Sequence, residues 1–175
     1  MMISRLESIE EIVPIFREYL GWMRKFYTVY NFDAWCEGGV KRLQDNAMAE
    51  ERPVYVLKKS ESIVGFALVN QHLRFNGDGF AMAEFYIQKK YGQSGQGRRL
   101  AEYVFDQYPG PWEVAVAIKN KDARLFWKQV VAAYTEGKFM EKKRASFKGT
   151  GFLFNNEPKI KASAARIGGN LSNRN

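Results

Sequence analysis

The residues from Glu84 to Arg99, Glu-Phe-Tyr-Ile-Gln-Lys-Lys-Tyr-Gly-Gln-Ser-Gly-Gln-Gly-Arg-Arg, bring a carboxylate, three glycines and four cationic side chains into one short stretch. Phe85, Tyr86 and Ile87 predict a strand, Gly92 to Gly97 a loop, and Arg98 to Tyr103 a helix. A helix that opens directly after a glycine-rich loop offers free backbone N–H groups and the positive end of its dipole, which is the chemistry of an anion site. Glycines there let the backbone approach a ligand closely and take up positive φ. Glu84 supplies a different function. If side chains alternate, Glu84, Tyr86 and Gln88 share one sheet face and Phe85 and Ile87 the other, so a carboxylate at the start of this strand could accept a proton as a general base. An isolated strand glutamate is equally often a surface residue, and both readings stand at this point.

Two phosphate-binding templates fail on this loop. A P-loop requires G-x-x-x-x-G-K-[ST]; Gly92 and Gly97 have the spacing, but Arg98 and Arg99 occupy the lysine and magnesium-binding hydroxyl positions. A dinucleotide fingerprint, G-x-G-x-x-G, would place glycine or alanine where Gly95-x-Gly97 leads to Leu100. His72 is the only histidine, which excludes a multi-histidine metal site and disfavours a Cys-His nucleophile with Cys36. No metal is expected.

The elements that position these groups follow from periodicity. Met2 to Leu6 predicts a short strand, and Ser8-Ile9-Glu10-Glu11 fits a capping box opening a helix. That helix carries Ile9, Ile12, Val13, Phe16, Leu20 and Met23 on one face, with Pro14 bending or restarting it. Trp22 to Glu37 is dense in aromatics, read as core first and as the wall of a pocket for a cationic or aromatic substrate second, with Asp33 and Glu37 as its acids. Asp33 begins a second helix through Ala34, Val40, Leu43 and Met48, stopping before Pro53. Val54–Leu57 and Ile63–Val69 predict a hairpin, and Asn76-Gly77-Asp78-Gly79 a turn before a strand from Phe80 to Gln88. Pro109-Gly110-Pro111 ends the next helix, Trp112 to Ile118 reads as a central strand, and Asn120 to Val131 as a helix. Phe139–Lys143 and Thr150–Asn155 close the sheet. The order predicts a mixed α/β single domain around a mostly antiparallel sheet flanked by helices.

With 175 residues, the chain fits one domain that buries roughly 70% of its unfolded surface. Cys36 is alone, and no apolar run approaches the roughly 18 residues of a membrane helix, so the expectation is a cytoplasmic protein without a membrane partner. The net charge is +8. Residues 156–175 hold Lys159, Lys161, Arg166 and Arg174 against Glu157, a net +3, in a polar run expected to be a flexible basic tail after a domain spanning 1–155.

From Ile87 to Gly97 the sequence resembles motif A of the GNAT superfamily of acyl-CoA-dependent N-acyltransferases, a strand ending in Val or Ile followed by [RQ]-x-x-G-x-[GA]. Ile87, Tyr91, Gly95 and Gly97 fall in register with it. Ile63-Val64-Gly65-Phe66-Ala67 looks like the family's preceding strand, and Asn120-Lys121-Asp122-Ala123 with Phe126-Trp127 is similar to the N-x-x-A segment of its next helix. The resemblance covers about residues 54 to 155. It implies an N-acetyltransferase that moves the acetyl group of acetyl-CoA, its cosubstrate, to a primary amine by direct attack in a ternary complex. The amides of Gln93, Ser94, Gly95, Gln96 and Gly97 would cradle the pyrophosphate, with Arg98 adding charge. The backbone of Phe85 and Ile87 would pair with pantetheine, Asn120 would bond the same arm or else cap its helix, and Trp127 would line the site. On the residues themselves, Glu84 is the candidate base, and Tyr86, Tyr91 and Tyr134 are the candidate hydroxyl donors, with Tyr134 preferred. A homodimer is left open, and no nucleic acid is expected. Two departures stand out: Gly92 replaces the motif's Arg or Gln, and Trp127 stands where a tyrosine is common, so no proton can come from that side chain. These and the basic tail motivate the alternative, a non-catalytic acyl-CoA-binding or basic interaction domain on the same fold.

Overall fold

A computed structural model describes residues 1–46 and 53–162. Its strands are β1 (Met2–Arg5), β2 (Val54–Lys59), β3 (Ser62–Asn70), β4 (Phe80–Ile87), β5 (Pro111–Ala117), β6 (Met140–Arg144) and β7 (Phe147–Asn155). The helices are α1 (Val13–Met23), α2 (Phe32–Asn46), α3 (Gln96–Gln107) and α4 (Lys121–Tyr134). The strands form one sheet ordered β1-β2-β3-β4-β5-β7-β6, antiparallel at every junction except β4–β5. The expected mixed α/β, mostly antiparallel architecture is therefore what forms.

Each strand at the centre is apolar on both faces because each face is covered. Tyr55 and Leu57 of β2 join Leu100, Val104 and Phe105 of α3 and Trp127 and Val131 of α4 in one core. Val54 and Val56 face the other way, against Ile12 just before α1, Phe16 and Leu20 of α1 and Val40 and Leu43 of α2. Full burial of side chains of this size contributes roughly 1.5–3 kcal/mol each. These two layers make the sheet the rigid floor of whatever site it carries.

The parallel junction is short. β4 and β5 pair only through Phe80↔Trp112 and Ala81↔Glu113, after which no ladder joins them. Gly79 sits at this junction with φ +108°, and a Cβ there would lie 2.2 Å from the Pro111 carbonyl oxygen. Both the conformation and the close approach require glycine. Gly79→Ala is expected to cost roughly 3 kcal/mol, strain and clash together, as a lowered denaturation midpoint; an unchanged midpoint would show that the junction yields.

Several local expectations change in detail. The capping box does not form, because the Ser8 hydroxyl bonds the Glu10 carboxylate and Ile9–Glu11 make a 3-10 turn. Pro14 falls in the first turn of α1, where its missing N–H costs nothing. For α2 the cap is Asn31, whose Oδ1 accepts the Ala34 N–H at 3.0 Å, not Asp33. Met48 lies outside the described residues. Asn156, placed in the tail by composition, is 2% exposed and bonds the Phe105 carbonyl and the Gly110 N–H. Residues 157–162 are helical. Among the described residues, no helix is long and apolar enough to cross a membrane.

Candidate functional site

Where β4 and β5 part, the sheet holds a cleft of about 650 Å³, walled by Glu84 to Ile87 on one side and Val114 to Ala117 on the other. A β-bulge shapes its first wall. Met82 pairs with Val69 and Glu84 with Leu68, so Ala83 is the extra residue. The bulge resets alternation: Met82 and Phe85, three apart, belong to the same α3/α4-facing core. Glu84 is thereby turned to the α1 face.

There the Tyr19 hydroxyl donates to the Glu84 carboxylate. Two positions on, Tyr86 and Gln88 both donate to Glu18 at 2.8 Å, so the predicted alternation holds from Glu84 onward. Glu84 is half-buried, and removal from water pushes its carboxyl above the usual carboxylate range; the Tyr19 hydrogen bond and the charges of Arg74 and Arg42 pull it back in part. Burial, with the Glu84 charge adding to it, pushes the Tyr19 hydroxyl well above its ordinary range, so it remains a donor. A partly desolvated carboxylate aimed into a cleft is suited to taking a proton near neutral pH.

On the opposite face Phe85 stacks on Phe126 at 5.6 Å and meets Trp127 edge-on at 4.9 Å. Trp127 lines the cleft, and its indole N–H has no partner among the described residues. Ile87 lies beside Gly97, where a Cβ would approach the Phe126 ring at 3.2 Å and Ile87 Cγ1 at 3.5 Å. The glycine thus keeps the mouth of α3 open at a crowded point.

The loop behaves as its composition predicts. Gly95 has φ +73° and precedes α3 in the left-handed conformation. The amides of Gln93, Gly95, Gln96, Gly97 and Arg98 have no backbone acceptor among the described residues, leaving several converging donors at the positive end of a 12-residue helix. Ser94 differs: its N–H and hydroxyl both bond the Tyr91 carbonyl, at 3.3 and 2.7 Å, so it shapes the turn. Gly92 has ordinary helical φ and ψ, and the Arg98 guanidinium pairs with Glu102 at 2.7 Å. Gln93 and Gly97 line the cleft directly. Asn120 lines it as well, and its Oδ1 caps α4 by accepting the Ala123 N–H at 3.1 Å.

Tyr134 is not part of this arrangement. It is 2% exposed at the far end of α4, donates to Asp106 at 2.7 Å and packs against Phe105 and Phe154, which makes it core structure and not a hydroxyl donor to the cleft. Asp33 and Glu37 also stand apart: neither lines the cleft, and Glu37 pairs with Arg17. Of the aromatics, Trp22, Phe26 and Tyr27 do line it, whereas Tyr30 is 99% exposed.

Three cleft residues were not singled out from sequence. Tyr19 fits the helical face of Phe16 and Leu20, so periodicity marks it as inward, but its partner is 65 residues away. Glu113 interrupts an apolar strand, a signal in itself, since a carboxylate 1% exposed needs dedicated donors. It has three: the amides of Arg74, Phe75 and Asn76 at 2.6, 2.9 and 3.0 Å. Arg74 follows from that anchoring and has no sequence signature.

A sequence model described as the acetyltransferase (GNAT) family matches residues 11–131. Among solved structures, an acetyltransferase from Thermus thermophilus superposes with a TM-score of 0.64 at 14% identity, over 89% of this chain and 97% of the other. The PaiA N-acetyltransferase of Thermoplasma acidophilum in complex with coenzyme A gives 0.59 at 14% identity, over 89% and 99%. A spermidine N-acetyltransferase SpeG mutant from Vibrio cholerae gives 0.57 at 13% identity, over 93% and 99%. No curated protein matches by sequence.

Proposed function

Because this chain belongs to the acetyltransferase (GNAT) family and so carries out acyl-CoA-dependent acetyl transfer, we propose that it moves the acetyl group of acetyl-CoA directly onto a primary amine. The observation that carries this reading is a single cleft with free loop amides at one end and the Tyr19-bonded carboxylate of Glu84 on its wall.

In this reading the amides of Gln93, Gly95, Gln96, Gly97 and Arg98 hold the pyrophosphate, and Gly97 leaves it room. The unladdered edges of β4 and β5 offer backbone groups to the pantetheine amides, as an added strand would use them. Phe85 and Trp127 provide the apolar wall beside the thioester. Glu84 removes a proton from the acceptor ammonium, and Tyr19 positions the carboxylate. The amine lone pair then attacks the thioester carbon, the C–N bond forms, the C–S bond breaks with its electrons leaving on sulfur, and the second proton of the nitrogen is lost to solvent, which leaves the neutral amide. A thiol with a pKa near about 8.5, by analogy with cysteine, departs as thiolate at modest cost, so Trp127 need only donate a hydrogen bond. Trp22, Phe26 and Tyr27 line the acceptor end.

Thiol release from acetyl-CoA across a panel of amines tests the proposal. Saturable, amine-dependent turnover supports it. Thermal stabilisation by acetyl-CoA with no turnover on any amine would support a non-catalytic acyl-CoA-binding domain instead.

A further inference from the structure

Glu84 is not the only charge in the cleft. Arg74, in the segment between β3 and β4, lines the cleft and lies near enough to Glu84 for its charge to act on that carboxyl. Its main chain is held from two sides, the N–H by Glu113 at 2.6 Å and the carbonyl by the Arg144 guanidinium. Its guanidinium carbon sits 4.9 Å from the Phe147 ring centroid, itself a cleft residue. Yet the guanidinium forms no ion pair within the described residues. A planar, pre-ordered fork of donors left without an anion is built to receive a carboxylate in two parallel hydrogen bonds. Much of the side-chain ordering that binding would otherwise require is already in place.

The carboxylates of the cleft point the same way. Glu113 is occupied by three backbone donors, which leaves Glu84 as the acid facing an acceptor here. A polyamine would meet the Glu84 carboxylate and a fixed arginine, while Asp122, the cleft's remaining acid, sits in the first turn of α4. This is a poor match for several positive charges in a row.

We propose that Arg74 binds a carboxylate on the acceptor, so that the amine substrates are amino-acid-like, with an ammonium for Glu84, a carboxylate for Arg74 and an apolar or aromatic body for Trp22, Phe26 and Tyr27. This rests on the acetyl-transfer reading of the same cleft. The contact is read without turnover by titrating 3-phenylpropionate and 3-phenylpropanamide, which share a shape but differ in charge and in one acceptor oxygen replaced by NH2, into the protein saturated with acetyl-CoA. Wild type should bind the acid at least tenfold more tightly than the amide. Arg74→Gln should abolish that difference, and Arg74→Lys should restore part of it. Equal affinities, no binding of either compound, or an acid preference that survives in Arg74→Gln overturns the proposal. In turnover, kcat/KM should favour phenylalanine over phenethylamine at least tenfold in wild type, with spermidine a poor acceptor; the reverse order overturns it too. Failure of the underlying reading looks different: acetyl-CoA would then stabilise neither wild type nor variant.

Discussion

Glu84→Gln is expected to lower kcat by about 10²- to 10⁴-fold, the span of general-base catalysis, while the thermal shift produced by acetyl-CoA stays intact. Glutamine keeps the shape and still accepts the Tyr19 hydroxyl, so the loss isolates proton acceptance from packing. The pH profile adds a second readout. Only the ionised carboxylate is a base, and burial holds its carboxyl above the ordinary range, so wild-type activity should fall on acidification at a pH higher than an exposed glutamate would give. Tyr19→Phe removes a hydrogen bond that lowers this pKa, which should move the acid limb further upward. Stability should respond with the opposite sense. A carboxyl whose pKa is raised on folding contributes stability that is present below its unfolded pKa and lost as pH rises through the folded one. Glu84→Gln should therefore raise the melting temperature at neutral pH, and the gain should shrink toward acid. A variant with wild-type rate at every pH removes Glu84 as the base.

How much of this site the sequence disclosed depends on the range of the interaction concerned. The loop before α3 was legible because its information is local: Gly95 takes positive φ and α3 begins at once, whereas the crowding of Gly97 against Phe126 is a contact that only the fold creates. The face of Glu84 was legible for the same reason, from the alternation of Glu84, Tyr86 and Gln88. Reading that alternation backwards would have failed, because the bulge at Ala83 breaks its phase, and nothing in Ala81-Met82-Ala83 announces a bulge. The acceptor end was misread in its charges. Asp33 and Glu37 lie close in sequence to aromatics that do line the cleft, but α2 turns them elsewhere, and Glu37 is satisfied by Arg17. Tyr134 does not reach the cleft because it lies seven residues, about two helical turns, beyond Trp127 on α4, where it meets Asp106 and Asn156. Tyr19, Arg74 and Glu113 are placed in the cleft by hydrogen bonds 37 to 70 residues apart that only the folded chain creates.

Glu113 should accordingly matter as much as a lone carboxylate in an apolar strand signals. Its carboxylate is buried and pairs with no cation among the described residues, and its partners are three successive N–H groups of one loop. Hydrogen bonds to a charged acceptor contribute about 1.5–3 kcal/mol each, and a donor stripped of its acceptor in a partly buried setting costs about 1–3 kcal/mol. Glu113→Ala is therefore expected to lower stability by about 3 kcal/mol or more in urea denaturation, beyond what loss of its methylenes explains. Glu113→Gln should recover part of this, since one oxygen still accepts while its amide hydrogens oppose a backbone donor. The decisive readout is local. Hydrogen exchange at Phe75 and Asn76 should accelerate in both variants while the amides of α3 stay protected under conditions where the fold persists. Because the same three bonds fix the main chain of Arg74, loosening them frees its guanidinium from one orientation. Discrimination between an acid and its amide should then weaken even though Arg74 itself is unchanged. If Glu113→Gln keeps wild-type stability and exchange, the loop is held by the Phe75 packing against Gly151 and Phe147 and by the bonds of Arg144 and Asn76, and the carboxylate is incidental to it.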